Sequence, residues 1–127
     1  MRGEEKVNIL LVDDQPAKLL SYEVILREID ENLIKASSGR EAIDLIESTK
    51  GLAIVLMDIM MPEMDGYQTT QAIRANPAFR RLPIVALTAK AMKGDREKCL
   101  EAGCSDYLAK PVNTEQLLSA LRMWLHR

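Results

Sequence analysis

Three apolar, β-branched-rich runs punctuate the chain: residues 7–12 (VNILLV), 53–57 (AIVLM) and 83–87 (PIVAL). Runs of this length without polar alternation predict strands covered on both faces, the habit of parallel sheets. Residues 33–36 (LIKA) are shorter and carry Lys35, which suits an edge strand. Residues 106–109 (DYLA) form a fifth, weaker strand. Between the runs the period changes to that of a helix. From Pro16 to Ile29, Leu19, Leu20, Tyr22, Ile25, Leu26 and Ile29 fall on one stripe, and Pro16 suits a first turn. Ser38-x-x-Glu41 is a capping-box pattern opening a helix that buries Ala42, Leu45 and Ile46. Asp65 caps a helix running to about Ala75, where Asn76-Pro77 breaks it. Residues 95–102 end at Gly103, a left-handed C-cap. Asn113-x-x-Gln116 opens the last helix, with Leu117, Leu118, Leu121, Trp124 and Leu125 inward.

Strand and helix thus alternate five times, with no repeat, low-complexity stretch or dividing linker. Such alternation predicts one α/β domain over residues 1–127, with a core at about 8–125: a parallel sheet wrapped on both sides through right-handed crossovers. A chain of 127 residues buries enough surface to fold without a disulfide or metal staple. Seventeen basic residues against nineteen acidic ones give a net charge of −2, which argues against a nucleic-acid module. Cys99 and Cys104 make neither a disulfide framework nor a paired zinc motif, and they suit a reduced cytoplasmic setting. The charged start MRGEEK has no apolar core of a signal peptide, and no apolar run is long enough to span a membrane. The one histidine, His126, stands next to the end of the sequence, so His-dependent triads and His-rich metal sites are disfavoured.

In parallel sheets of this kind the working site lies beyond the carboxyl ends of the strands. The first strand ends in Asp13-Asp14, the third in Asp58, the fourth in Thr88-Ala89 and the fifth in Lys110-Pro111. Three converging carboxylates repel one another and require a cation. Oxygen ligands without His or Cys suit Mg²⁺, which often shares its shell with phosphate. Lys110 adds a mobile positive charge, and Thr88 a hydroxyl. Taken singly, each residue is an ordinary turn or surface residue; together they are not. Asp65, before Gly66, is left to capping. Met57 is read as core, and Met60, Met61 and Met64 as loop residues rather than a soft-metal site.

ILLVDD (9–14), VLMDIMMPEMDG (55–66), PIVALTAKA (83–91) and AGCSDYLAKPV (102–112) together resemble the receiver domain of two-component response regulators, most closely receivers associated with hybrid sensor histidine kinases. The resemblance covers about residues 8–125. It implies a flavodoxin-like, doubly wound five-stranded sheet of order 2-1-3-4-5 with five helices. It also implies a phosphorylation-controlled switch that catalyses only its own phosphotransfer and dephosphorylation. On this pattern Asp58 is the phosphoacceptor, Asp14 a direct Mg²⁺ ligand and Asp13 a ligand through water. Met60 offers its backbone carbonyl to the metal. Thr88 is the switch hydroxyl, Ala89 donates a backbone N–H to the phosphoryl group, Lys110 pairs with that group, and Tyr107 is the switch aromatic. The Lys110–Pro111 peptide is commonly cis in the family. Met60 and Lys90 occupy freely varying positions flanking the site. The implied partners are a histidine kinase or histidine phosphotransfer protein, and a second copy or downstream protein on the face of the fourth helix, fifth strand and fifth helix. Neither nucleic acid nor membrane is expected, and the sequence stops after the fifth helix without a DNA-binding output domain.

Three rivals fit less well. An aspartyl-phosphate phosphohydrolase would place D-x-D after the first strand, where this chain has adjacent Asp13-Asp14, and would need room for a cap domain. A flavodoxin-like cofactor binder would need a hydroxyl- and glycine-rich loop where DDQPA stands. A scaffold-only pseudo-receiver would not need the complete acidic set.

Overall fold

The computed structural model describes residues 6–88, 93–110 and 112–125. Five parallel strands run in the order β2-β1-β3-β4-β5. They are β1 (Asn8–Val12), β2 (Asn32–Ala36), β3 (Leu52–Asp58), β4 (Ile84–Thr88) and β5 (Asp106–Ala109). The helices are α1 (Pro16–Leu26), α2 (Gly39–Ser48), α3 (Gly66–Arg74), α4 (Lys93–Ala102) and α5 (Thr114–Leu125). The LIKA segment is an edge strand, as its lysine suggested. No helix among the described residues is long and apolar enough to cross a membrane.

The strands alternate between two cores with a period of two. Ile9, Leu11, Ile54, Leu56, Val85 and Leu87 pack with Leu19, Tyr22 and Leu26 of α1 and Leu117, Leu118 and Leu121 of α5. Leu10, Val12, Val55, Met57, Ile84 and Ala86 pack on the other side with α2, α3 and Cys99 of α4. Continuing each strand by one step places Asp13 and Asp58 on the α1/α5 side and Thr88 on the α4 side. Fully burying one such aliphatic side chain contributes about 1.5–3 kcal/mol.

The helix starts follow their side chains. Asp65 and Gln68 form a complete capping box: Asp65 Oδ1 accepts the Gln68 N–H at 2.9 Å, and Gln68 Oε1 accepts the Asp65 N–H at 3.1 Å. At α2, Ser38 Oγ accepts the Glu41 N–H at 3.1 Å, but the Glu41 carboxylate reaches one residue further back, to the Ser37 N–H at 2.6 Å. Asn113 Oδ1 accepts the N–H groups of Glu115 and Gln116. Gly103, at φ +109°, ends α4 with the Cys104 N–H donating to the Cys99 carbonyl at 2.9 Å.

Several expectations need adjustment. α1 stops at Leu26 rather than Ile29, because the N–H groups of Ile29 and Asp30 turn back to Leu26 and Arg27 and Asp30 adopts φ 58°. Leu20 is 59 % exposed, on the outer side of that helix. Met61 is buried at 8 % and packs into the α2/α3/α4 core rather than lying free in a loop. α4 begins at Lys93, two residues before Asp95. β3, by contrast, ends in Asp58 as expected.

Gly66 lets the start of α3 seat directly on the end of β3. A Cβ there would lie 2.5 Å from the Asp58 carbonyl oxygen and 2.7 Å from Ile59 Cα, both backbone atoms. Gly66→Ala should therefore destabilise the fold by about 1–3 kcal/mol, the usual scale of overpacking. A denaturation midpoint equal to that of the unaltered protein would show that the loop yields freely.

Candidate functional site

Asp58 closes the central strand, paired in register with Leu87 of β4. Its side chain is 3 % exposed, and its Oδ1 accepts a hydrogen bond from Lys110 Nζ at 2.6 Å. Lys110 follows β5, and its backbone N–H donates to the Thr88 carbonyl at 2.7 Å, which ties the ends of β4 and β5 together. Asp13 follows β1 and is anchored through its N–H to the Ala36 carbonyl of β2 at 3.1 Å. Its Oδ1 accepts the Gln15 N–H at 2.9 Å, just before α1.

Asp13, Asp14 and Asp58 each bring a carboxylate oxygen to within 4.8 Å of the others. Asp13 Oδ2 and Asp14 Oδ1 are buried with no hydrogen-bond partner among the described residues. An orphaned buried acceptor costs about 1–3 kcal/mol. Of these three acids only Asp58 has an ion-pair partner among the described residues, namely Lys110. Unpartnered oxygens aimed into an acidic cluster, with no nitrogen or sulfur donor beside them, fit a hard divalent cation of the Mg²⁺ kind.

The electrostatics agree. Burial raises the pKa of Asp13, the Gln15 N–H opposes that, and the Asp58 charge adds to the rise. Burial works against the Lys110 ammonium, yet the hydrogen bond and charge of Asp58 hold its pKa above the ordinary lysine value. The stability from that pair is present below the ordinary lysine value and is lost only as pH rises through the higher folded one, so it is intact at neutral pH. For Asp13 the favourable range is acid. It lies below the ordinary aspartate value and is lost as pH rises through the raised folded value, so at neutral pH its charge weighs on the metal-free fold. Asp13→Asn should therefore raise the melting temperature without metal and shrink the increment that added Mg²⁺ gives. A change of about 1 kcal/mol moves the midpoint by roughly 4 °C at this size. A lower midpoint for the metal-free variant would contradict this reading.

Thr88 ends β4, 5 % exposed. Tyr107, in β5, is opposite Ala86, two residues before Thr88. Strand alternation puts Tyr107 on the side of Ala86 and Thr88, and it packs against the α2/α3/α4 core with the Arg96 guanidinium 5.7 Å from its ring centroid. Met60 lies beyond β3, 71 % exposed. Thus the strand ends bring Asp13, Asp14, Asp58 and Lys110 together, Thr88 ends the neighbouring β4, and Tyr107 stands one step back along the sheet. The expectations for Ala89, Lys90 and the Lys110–Pro111 peptide fall on residues 89, 90 and 111, outside the described residues.

Sequence reasoning missed Tyr22, which it treated only as part of the apolar stripe of α1. Burial raises the pKa of its phenol, and the charges of Lys110, Asp13 and Asp58 act on it, so it belongs to the site's surroundings. Its polar tip at a core position was the available signal, but only the crossover of α1 shows where that tip lies.

Residues 9–122 match the family model of the response regulator receiver domain. Sensor protein GacS of Pseudomonas syringae pv. syringae is 40 % identical over 119 residues, a stretch covering 91 % of this chain and 13 % of that protein. The chain therefore corresponds to a small part of such a sensor kinase. Among solved structures, the receiver domain of sensor histidine kinase PA1611 from Pseudomonas aeruginosa PAO1 is 40 % identical with a TM-score of 0.87, covering 97 % of this chain and 100 % of that one. That structure has a magnesium ion coordinated in its active site cleft. The receiver domain of Ssk1, crystallised with the Saccharomyces cerevisiae histidine phosphotransfer protein Ypd1, is 30 % identical with a TM-score of 0.87, covering 94 % of this chain and 88 % of that one.

Proposed function

We propose that this chain, which belongs to the response regulator receiver domain family, accepts a phosphoryl group on Asp58 from a phosphohistidine and passes the signal on through a change of shape. The observation that carries this reading is the Asp58 carboxylate, buried at the end of the central strand, bonded to Lys110 at 2.6 Å and set beside two further carboxylates. A carboxylate oxygen of Asp58 attacks phosphorus in line with the leaving imidazole. The P–N bond breaks, its electron pair goes to the imidazole, and an acyl phosphate remains. Lys110 moves from the carboxylate toward the phosphoryl oxygens, so the residues act by positioning and charge rather than by proton transfer. Asp14 directly, Asp13 through water, Asp58 and the Met60 carbonyl would hold Mg²⁺, which when bound neutralises charge on the phosphoryl oxygens. The Thr88 hydroxyl donates to the same group.

Phosphorylation adds about −1.5 to −2 charge at the site. Thr88 turns toward it, and Tyr107, on the same side of the sheet, follows into the space. That repacks the face of α4, β5 and α5, where a downstream partner or a second copy reads the state. The equilibrium shifts only as far as the phosphoryl group contacts one arrangement better. The relatives make a histidine phosphotransfer protein or the kinase portion of a hybrid sensor the expected donor. Thr88→Ala should still accept phosphate while the shifts of Tyr107 and α4 on phosphorylation fall by roughly half or more, because one hydrogen bond to the phosphoryl group is lost. Unchanged NMR shifts in that variant would remove Thr88 from the switch.

The reading is tested by incubating the protein with Mg²⁺ and a small phosphodonor such as acetyl phosphate, then measuring intact mass. One labile phosphoryl adduct supports it. Multiple turnover of an unrelated phosphate ester without an adduct would favour a hydrolase instead.

A further inference from the structure

At the amino end of β4 and β5, opposite Asp58, Arg74, Arg80 and Arg81 have no carboxylate partner among the described residues. Arg74 is half-buried and spends its donors on neutral oxygens: the Gly103 carbonyl at 2.9 Å, the Phe79 carbonyl at 2.6 Å and Ser105 Oγ at 3.3 Å. Arg80 and Arg81 are exposed. The ion pairs among the described residues are Lys6–Asp30, Lys35–Glu23, Lys110–Asp58 and Arg122–Glu28, and none uses these arginines. Asp106, the acid beside this corner, is already committed: its Oδ2 accepts the Trp124 indole N–H at 3.3 Å and its Oδ1 accepts the Tyr107 N–H at 2.8 Å.

Arg80, Arg81, Pro83, Ser105 and Trp124 line one groove of about 670 Å³, within the usual size range of ligand sites. Ser105 Oγ accepts from both Arg74 Nη2 and the Ile84 N–H. Both lone pairs are thereby used, and the hydroxyl hydrogen has no acceptor among the described residues. The groove therefore offers a hydroxyl donor and two guanidiniums unpaired among the described residues, with Pro83 and part of Trp124 as apolar walls.

We infer that this groove binds a phosphate monoester of nucleotide size, independently of phosphorylation at Asp58. A dianion with three oxygens matches two guanidiniums and a hydroxyl better than a carboxylate with two oxygens does. The remaining volume and the apolar walls accommodate an organic body. A free phosphate and a nucleotide share the recognised group, and the ligand series separates them.

Trp124 is the sole tryptophan of the chain, so its fluorescence reports on the groove. The probes are AMP, inorganic phosphate and adenosine, titrated against the full chain. AMP should give a saturable change, and phosphate and adenosine should each bind about tenfold more weakly or worse. The double variant R80Q/R81Q, altered at two exposed positions, should lose at least about tenfold in AMP affinity while taking up phosphate at Asp58 from acetyl phosphate as the unaltered protein does. No saturable response to AMP, equal binding of adenosine, or undiminished affinity in the double variant would overturn the inference. Equal affinity for inorganic phosphate and AMP would overturn the claim for an organic body.

Discussion

Asp58→Asn abolishes the acid-labile phosphoryl adduct and leaves the fold standing. The amide oxygen carries no charge with which to attack phosphorus, so labelling should fall by at least about a hundredfold. The fold survives because two effects on it oppose each other. The Lys110 ammonium loses an anionic partner 2.6 Å away but keeps a neutral acceptor. The Asp13 carboxylate, buried beside it, loses a negative neighbour that raises its pKa. Intact mass after treatment with acetyl phosphate, with a melting curve on the same sample, reads both. An undiminished adduct on the folded variant would remove Asp58 from the chemistry.

Lys110→Ala produces the second large effect, on both the resting and the reacting protein. In the resting protein it removes the ammonium paired with Asp58, the only ion-pair partner of the three adjacent carboxylates among the described residues. Breaking a largely buried pair by removing one partner costs about 3–5 kcal/mol. The 14 % exposure of the Lys110 side chain places the expected loss at about the lower end of that range. In the reacting protein it removes a charge-assisted donor to the phosphoryl oxygens, and losing one such donor slows a reaction roughly a hundredfold. Added Mg²⁺ should recover stability more than rate, because it relieves the carboxylates without replacing the ammonium at the phosphoryl group. Initial rates of labelling against Mg²⁺ concentration, with parallel melting curves, check this. A labelling rate within twofold of the unaltered protein would show that Lys110 serves the resting ion pair alone.

The parallel sheet was legible because its inner strands are continuous apolar runs, which half-buried antiparallel strands are not. Lys35 marked β2 as an edge, and the order 2-1-3-4-5 came with the family resemblance rather than from periodicity. The acidic set was legible because its members each follow an apolar run, so the fold places them on one edge. What stayed hidden depends on packing at a distance. Ile29 carries helical spacing, yet the chain has already turned; it meets the α1/α5 core from the turn. Met61 has the sequence surroundings of a loop, but the turn after β3 folds it inward. Tyr22 joins the site only through the crossover of α1, and the Gly66 contact only through the return of α3 onto Asp58. The basic corner around Arg74 draws on the end of α3, the approach to β4, the start of β5 and the end of α5. No local motif announces such a convergence.

The most direct test of the account is to locate the adduct. The protein is labelled with acetyl phosphate and Mg²⁺, reduced with borohydride, digested and sequenced by mass spectrometry. Reduction converts an aspartyl phosphate to homoserine, so the account predicts homoserine at position 58 and at no other aspartate. Homoserine at Asp13, Asp14 or elsewhere, or a retained phosphoryl mass on a serine, threonine or histidine, would contradict it.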